Sequence, residues 1–260
     1  MEISFVNDEF SENLDEVISF AKKNNLRYIE LRKINGKELT DFSLDELSLM
    51  AEKIAKSGLL VSCIYSSFLK WKMGENNFNL FSQCIDNEEE YFLGLMDVAD
   101  VLGASNIVIY SYHKNELTIE ELAQKLDVYS QMALDRGISL LLENDGLCNI
   151  DSINKMHELF ELYNFSNIFP LINMGNVLAL NDEFTPSKLR DLINSCQYFH
   201  IKDYDAELKR FVVVGEGNAD YETILAEKSD DYATILSLEP HTGYAEDLQM
   251  SLNMLRAIED

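Results

Sequence analysis

The sequence predicts an α/β protein built as one (β/α)8 barrel, and three observations carry that prediction. Short β-rich runs alternate with amphipathic helical segments from one end of the chain to the other. Helix, then glycine, then strand recurs at Gly58, Gly103 and Gly137, the pattern expected where a left-handed residue turns a helix back into a sheet. Finally, apolar runs end abruptly in polar residues, as in Leu140-Leu-Leu-Glu-Asn144, Tyr198-Phe-His-Ile-Lys-Asp203 and Leu236-Ser-Leu-Glu-Pro240. Strands buried on both faces read as continuous apolar runs, and a polar residue at the C-terminal end of a barrel strand lies on the face that carries the chemistry.

Taken in order, residues 3–6 read as the first strand and 12–24 as the first helix, with a second strand over 28–31. The second helix starts at Ser43, where Ser43-x-x-Glu46 has the spacing of a capping box and Phe42 can staple onto Leu47, and it stops at Gly58. Residues 60–65 are the third strand. The stretch 66–87 shows no convincing strand but carries Phe68, Trp71, Phe78 and Phe81, so it is read as a lid or binding loop. Phe92, Leu95, Met96, Ala99 and Leu102 have helical spacing and define the third helix. A fourth strand over 106–110 leads to a second capping box, Thr118-x-x-Glu121, and a fourth helix. The fifth strand is 139–142 with Glu143 at its tip, and a helix over 153–163 follows. The sixth strand is 168–172, ending at Asn173, and the segment beyond it reads as loop. Thr185-Pro186 offers an N-cap with proline at the first helical position. The seventh strand is 198–201, a small extra strand falls at 211–214, and a helix covers 221–227. The eighth strand at 233–238 and a helix at 245–258 close the chain.

Eight strands and eight helices in strict alternation over 260 residues have the size and order of a (β/α)8 barrel. A doubly wound open sheet would need a glycine-rich phosphate turn after an early strand, and no G-x-G-x-x-G occurs. In a barrel, Glu30, Glu143, Asn173, His200 and Glu239 share one rim. Two carboxylates and an imidazole delivered from separate strand ends suit a divalent metal with mixed oxygen and nitrogen ligands. The same acids could instead be rim charges satisfied by Lys202 or Arg210, and spacing does not choose between the two.

Composition narrows the function. A formal charge of −25, from 46 acidic and 21 basic residues, repels phosphate backbones and anionic membranes, so neither nucleic acid nor a membrane is an expected partner. The 4 cysteines lack C-x-x-C spacing and read as buried thiols rather than a zinc ribbon or a disulfide framework. The N-terminal residues show no basic-then-apolar secretory pattern, which makes a cytoplasmic location the expectation.

The motifs together resemble a known family, the xylose isomerase-like TIM barrels, a sugar-phosphate isomerase/epimerase group that also contains inosose dehydratases and endonuclease IV. The resemblance rests on Tyr28-Ile-Glu-Leu31, Leu142-Glu143, Asn173-x-x-Asn176, His200-x-x-Asp203, Gly215-Glu-Gly217 and Leu238-Glu239-Pro240, in that order and spacing, over nearly the whole chain. It implies a Mn²⁺, Mg²⁺, Co²⁺ or Zn²⁺ ion held by Glu143, Asn173, His200 and Glu239. It also implies that Glu143 and Glu239 act as acid and base on a small sugar, ketose or polyol. The chain departs from the family at Asn173, where aspartate is usual, which removes one negative charge from the ligand set and weakens metal binding. Around this centre Glu30, Asn176, Lys202, Asp203 and Arg210 are candidate substrate contacts, with His113 and His241 near the same face. Phe68 and Trp71 could stack on a sugar or close their loop over the core. Gly215-Glu-Gly217-Asn218 lies where many barrels bind phosphate, although Glu216 opposes an anion. The resemblance leads to an isomerase or epimerase working through an enediolate. An inosose-type dehydratase and a non-catalytic carbohydrate-binding barrel are the alternatives, and a homodimer is the assembly it leads one to expect. Phosphodiester hydrolysis of the endonuclease IV kind would call for more histidines than the 4 present.

Overall fold

Runs rich in Ile, Leu and Val form parallel strands here because each is covered outside by helices and filled inside by side chains from its neighbours. The computed structural model describes residues 1–73, 77–78, 84–85, 87–228 and 234–259. The barrel strands are β1 (Glu2–Phe5), β2 (Tyr28–Leu31), β3 (Leu60–Tyr65), β4 (Asn106–Ile109), β5 (Ser139–Glu143), β6 (Ile168–Asn173), β7 (Tyr198–Ile201) and β8 (Ile235–Leu238). They form one 8-stranded sheet in the order β1-β8-β7-β6-β5-β4-β3-β2. A parallel bridge between Val6 and Glu30 draws its two edges together. The chain is thus a single-domain TIM barrel.

Helices α1 (Leu14–Lys23), α2 (Leu44–Lys56), α3 (Glu88–Leu102), α4 (Ile119–Leu134), α5 (Ile153–Leu162), α6 (Met174–Ala179), α7 (Pro186–Ser195), α8 (Tyr221–Ala226) and α9 (Ala245–Glu259) surround the sheet. Both predicted capping boxes form, Ser43 with Glu46 and Thr118 with Glu121. Thr185 sits at the N-cap of α7, but its side chain makes no capping hydrogen bond, and Pro186 with its fixed φ is what starts the helix. The short α6 replaces an expected loop. Six residues containing Gly175 are too few to show a helical period, and the helix is held instead by Asn173, whose side-chain oxygen accepts the Asn176 N–H at 3.2 Å.

Among the described residues, three antiparallel pairs decorate the sheet: Lys33–Ile34 with Lys37–Glu38, Asn77–Phe78 with Cys84–Ile85, and Asp203–Asp205 with Arg210–Val212. The second corrects the expectation of a strandless stretch after β3, where two-residue strands are too short to leave an alternation in sequence. The third is the small extra strand expected at 211–214, displaced slightly and paired with the chain just after β7. Phe81 lies outside the described residues, as does the side chain of Phe78.

The main apolar layer lies between barrel and helices. A second, smaller cluster, including Val6, Cys63, Val108, Leu141, Leu171 and Tyr198, fills the barrel interior. Cys63, Cys148 and Cys196 are buried free thiols, as the absence of paired spacing predicts. Among the described residues no helix is long and apolar enough to cross a membrane.

Candidate active site

Side chains alternate faces along a strand, so every second residue of each barrel strand points inward. On that parity β5 gives Leu141 then Glu143, β6 gives Leu171 then Asn173, β7 gives Tyr198 then His200, and β8 gives Ser237 with Glu239 next. The apolar or small member fills the barrel, and the polar member stands one layer higher on the C-terminal face. Glu143, Asn173, His200 and Glu239 are consequently brought together, with exposures of 1%, 0%, 0% and 1%. One carboxylate oxygen from each glutamate and a ring nitrogen of His200 lie within 4.8 Å of one another. His200 Nδ1 is 3.4 Å from Glu143 Oε1 and 3.8 Å from Glu239 Oε2. The amide nitrogen of Asn173 donates to the same two oxygens, at 2.8 Å and 3.1 Å.

Glu30 lies underneath rather than on the rim. Its carboxylate meets His200 Nε2 at 3.0 Å and accepts the hydroxyls of Tyr198, at 2.9 Å, and Ser237. An Nε2–H donated to Glu30 orients the ring and turns Nδ1 toward the two glutamates, where a metal can take the place of its proton, the way a buried carboxylate orients a metal-binding histidine. Nδ1 is the one buried side-chain polar atom without a hydrogen-bond partner among the described residues. Burial alone would lower the His200 pKa, but Glu30 and Glu143 outweigh it and hold the imidazole well above its usual range.

Cations gather around Glu239. Arg32 donates to it at 3.1 Å while also pairing with Asp8 at 2.8 Å and Glu9 at 3.0 Å. Lys202 Nζ lies 3.6 Å from Glu239 Oε2 and 4.4 Å from the centre of the Phe211 ring. Burial would raise the Glu239 pKa, yet Lys202, His200 and Arg32 hold it far below the normal carboxylate range. Glu143 is also held low, by His200 and, less, by Lys70 against its own burial, but its other hydrogen-bond donors, Tyr110 and Asn173, are neutral. Tyr110 donates to Glu143 at 2.6 Å and Tyr65 donates to Glu239 at 3.1 Å. Arg32, Tyr65 and Tyr110 were not singled out from sequence. Extending the inward parity one step past Glu30, Cys63 and Val108 would have found all three.

The remaining sequence candidates divide. Asp203 is fully buried and accepts four backbone N–H groups, from Tyr204, Gly215, Gly217 and Ala219, at 2.8–3.0 Å. Its carboxylate therefore occupies the amide nest that a phosphate would need, and a Cβ on Gly217 would come within 2.3 Å of it. Asn176 ties α6 to the Asn144 carbonyl at 2.9 Å. His113 is half-buried, its N–H donating to the Trp71 carbonyl at 3.0 Å. His241 is exposed, with its N–H on Glu9 at 2.8 Å and its ring 5.3 Å from Phe211. Arg210 is exposed on the rim hairpin, opposite Asp205. Phe68 and Trp71 are 0% and 2% exposed. Phe68 packs on Phe92 and Tyr129, each at 4.7 Å, and the Trp71 indole donates to Glu88 at 3.1 Å, so both belong to the core under their loop.

Glu143, His200 and Glu239 fit a divalent cation. They combine two carboxylate oxygens with an imidazole lone pair that nothing else satisfies, a donor set suited to zinc, manganese or magnesium. Asn173 fits less well as it stands, since its nitrogen faces the glutamates while its oxygen caps α6.

The chain matches the family described as xylose isomerase-like TIM barrel over residues 8–258 and belongs to it. No curated protein matches it in sequence. Among solved structures it is similar to the IOLI protein with a bound zinc atom, at 18% identity and TM-score 0.74, covering 99% of this chain and 98% of that one. It is likewise similar to AsbF of Bacillus anthracis, a probable 3-DHS dehydratase, at 15% identity, TM-score 0.78 and 98% and 99% coverage. A third is D-allulose 3-epimerase from Methylomonas sp. in complex with D-allulose, at 15% identity, TM-score 0.74 and 100% and 96% coverage. At these identities the likeness is one of fold.

Proposed function

We propose that this protein is an isomerase or epimerase of a small sugar, ketose or related polyol, moving a proton on a carbon next to a carbonyl. The observation that carries the reading is the pair of buried carboxylates, Glu143 and Glu239, converging with an unpartnered imidazole nitrogen on the C-terminal face of the barrel. The zinc of the IOLI protein and the sugar bound to the allulose epimerase, on the same fold, support it.

A divalent ion held by Glu143, His200 and Glu239, with Asn173 as the further candidate ligand, would supply the positive charge that stabilises an enediolate. Glu239, kept ionised by Arg32 and Lys202, is suited to take a proton from carbon, and Glu143, whose other donors are neutral, to return one. Lys202, 3.6 Å from Glu239, is placed to hold a substrate oxygen beside the base. Gly175 secures that position, because a Cβ there would meet the Lys202 Cγ at 2.7 Å. The burial of all four central side chains excludes water from the reacting carbon.

Two measurements test the reading together: Mn²⁺ titration of metal-stripped protein, and proton NMR of ketoses incubated with the loaded enzyme in D2O. The expected result is Mn²⁺ binding that Glu143→Gln weakens and Asn173→Asp strengthens, with deuterium entering the carbon beside the carbonyl and an epimer accumulating. An unsaturated, ultraviolet-absorbing product would assign dehydration in its place. Binding gained only in Asn173→Asp would make the natural chain a carbohydrate-binding barrel.

A further inference from the structure

The two glutamates are connected on the side away from His200. Each turns one oxygen toward His200 and Asn173 and the other toward a tyrosine, and Glu239 carries a cation on each oxygen besides, Arg32 on Oε1 at 3.1 Å and Lys202 near Oε2 at 3.6 Å. Glu143 Oε1 and Glu239 Oε2 face His200 Nδ1. Glu143 Oε2 instead accepts the Tyr110 hydroxyl at 2.6 Å, and Glu239 Oε1 accepts the Tyr65 hydroxyl at 3.1 Å. The two phenol oxygens are themselves 3.1 Å apart. Glu143, Tyr110, Tyr65 and Glu239 therefore form one unbroken file of hydrogen-bonding oxygens, beginning and ending on the two carboxylates. Tyr110 and Tyr65 are 0% and 7% exposed, and they reach one another because β3 and β4 are neighbours in the barrel. Lys70 lies 4.4 Å from the Tyr110 ring centre and Arg32 lies 4.9 Å from that of Tyr65, each holding its ring face.

Counting protons gives the file a direction. With both glutamates ionised, each phenol donates to its own carboxylate, and no hydrogen remains to lie between the two phenol oxygens. One added proton on Glu239 completes the file: Glu239 donates to Tyr65, Tyr65 to Tyr110, and Tyr110 to Glu143. The same hydrogens with the opposite polarity place the extra proton on Glu143. Epimerisation by two bases on opposite faces of a carbon leaves the proton on the base that removed it and depletes the acid that supplied its replacement. The free enzyme must then reverse that distribution before the next turnover in the same direction.

We propose that Tyr65 and Tyr110 form an internal proton relay that resets Glu239 and Glu143 between turnovers. The O–H bond of protonated Glu239 breaks as its proton passes to the Tyr65 oxygen. The original Tyr65 proton passes to the Tyr110 oxygen, and that of Tyr110 passes to Glu143. One proton is displaced in total and no other reactant is consumed. Both tyrosines are positioning residues, acting through the glutamates and not on substrate. The inference rests on the epimerase reading, in which both glutamates exchange protons with carbon.

The test compares wild type, Tyr110→Phe and Tyr65→Phe, Mn²⁺-loaded, on a ketose that the wild type epimerises. Because resetting follows product release, kcat is expected to fall about tenfold or more in both variants while kcat/KM stays within about twofold. Two substitutions at separate links guard against one of them misfolding, and the Mn²⁺ affinity of each is measured alongside. Equal losses in kcat and kcat/KM, or no change in either, would overturn the relay. A wild type that binds Mn²⁺ but exchanges no substrate proton removes the epimerase reading, and the relay with it. An active wild type whose variants lack the split removes the relay alone.

Discussion

Asp203 and Glu239 are both buried acids just beyond the C-terminal ends of adjacent strands, β7 and β8, and their surroundings differ in kind. Asp203 takes all of its hydrogen bonds from backbone N–H groups, four of them, one from the next residue, Tyr204, and three from the loop that carries Gly215 and Gly217. Glu239 takes its bonds from the side chains of Arg32, Tyr65 and Asn173, with Lys202 close by. Backbone amides are fixed by the fold and cannot be traded for a ligand, whereas side chains can rotate toward substrate or a cation. A buried carboxylate saturated by backbone is therefore an organiser of the loop, and one held by side chains around an unsatisfied nitrogen is equipped for chemistry. Burial by itself does not separate them.

The strongest way to break this contrast is Glu239→Gln. If Glu239 exchanges protons with substrate, kcat should fall about 10³-fold with the melting temperature little changed, as losing a general base does; unchanged turnover on an epimerised ketose would end the assignment. Asp203→Ala should do the reverse. Leaving four backbone amides without their acceptor should cost on the order of 3 kcal/mol of stability, read from the urea midpoint, while the folded protein keeps its Mn²⁺ affinity. A variant that kept its stability and lost the metal would invert the comparison.

His200 sharpens the contrast through pH. Glu30 and Glu143 overcome burial and raise its pKa above the unfolded value of about 6.5. In the metal-free protein the stability this contributes is complete below about pH 6.5 and is lost as pH rises through the elevated folded pKa. A proton and a metal compete for Nδ1, so Mn²⁺ affinity should climb by up to about tenfold per pH unit across that window, with about one proton released per ion. Calorimetry in two buffers of different ionisation heat measures the release. The smallest effect is expected below the site. Ser62 bonds Ser4 and Tyr198 deep in the barrel, each at 2.9 Å, and Ser62→Ala should cost about 1 kcal/mol without altering turnover.

Much of the site was legible because strand parity is a property of sequence. A polar residue ending an apolar run marked Glu143, Asn173, His200 and Glu239, and the barrel brought all four together. The same reasoning placed Glu30 on the rim, but β2 and β3 slip register between Ile29 and Glu30, and Glu30 sits a layer lower, behind His200. Phe68 and Trp71 could be read as stacking on a sugar or as closing their loop over the core, because aromatic residues in a long loop have no period to show which way they face. Their partners, Phe92, Tyr129 and Glu88, belong to α3 and α4. The tyrosine file was invisible for a different reason: its links join residues 45, 33 and 174 positions apart in the chain.

The sequence alone determined the alternation of strands and helices, their caps and left-handed glycine exits, and the polar residues at strand tips. All of these depend on neighbours within a few positions, where propensity and period act. The tertiary structure decided which nitrogen of His200 is free, which acid the backbone saturates, which cations hold Glu239 ionised, and that two phenols bridge the glutamates. Those properties depend on distances between atoms from different strands, set only when the sheet closes and its strands take their register.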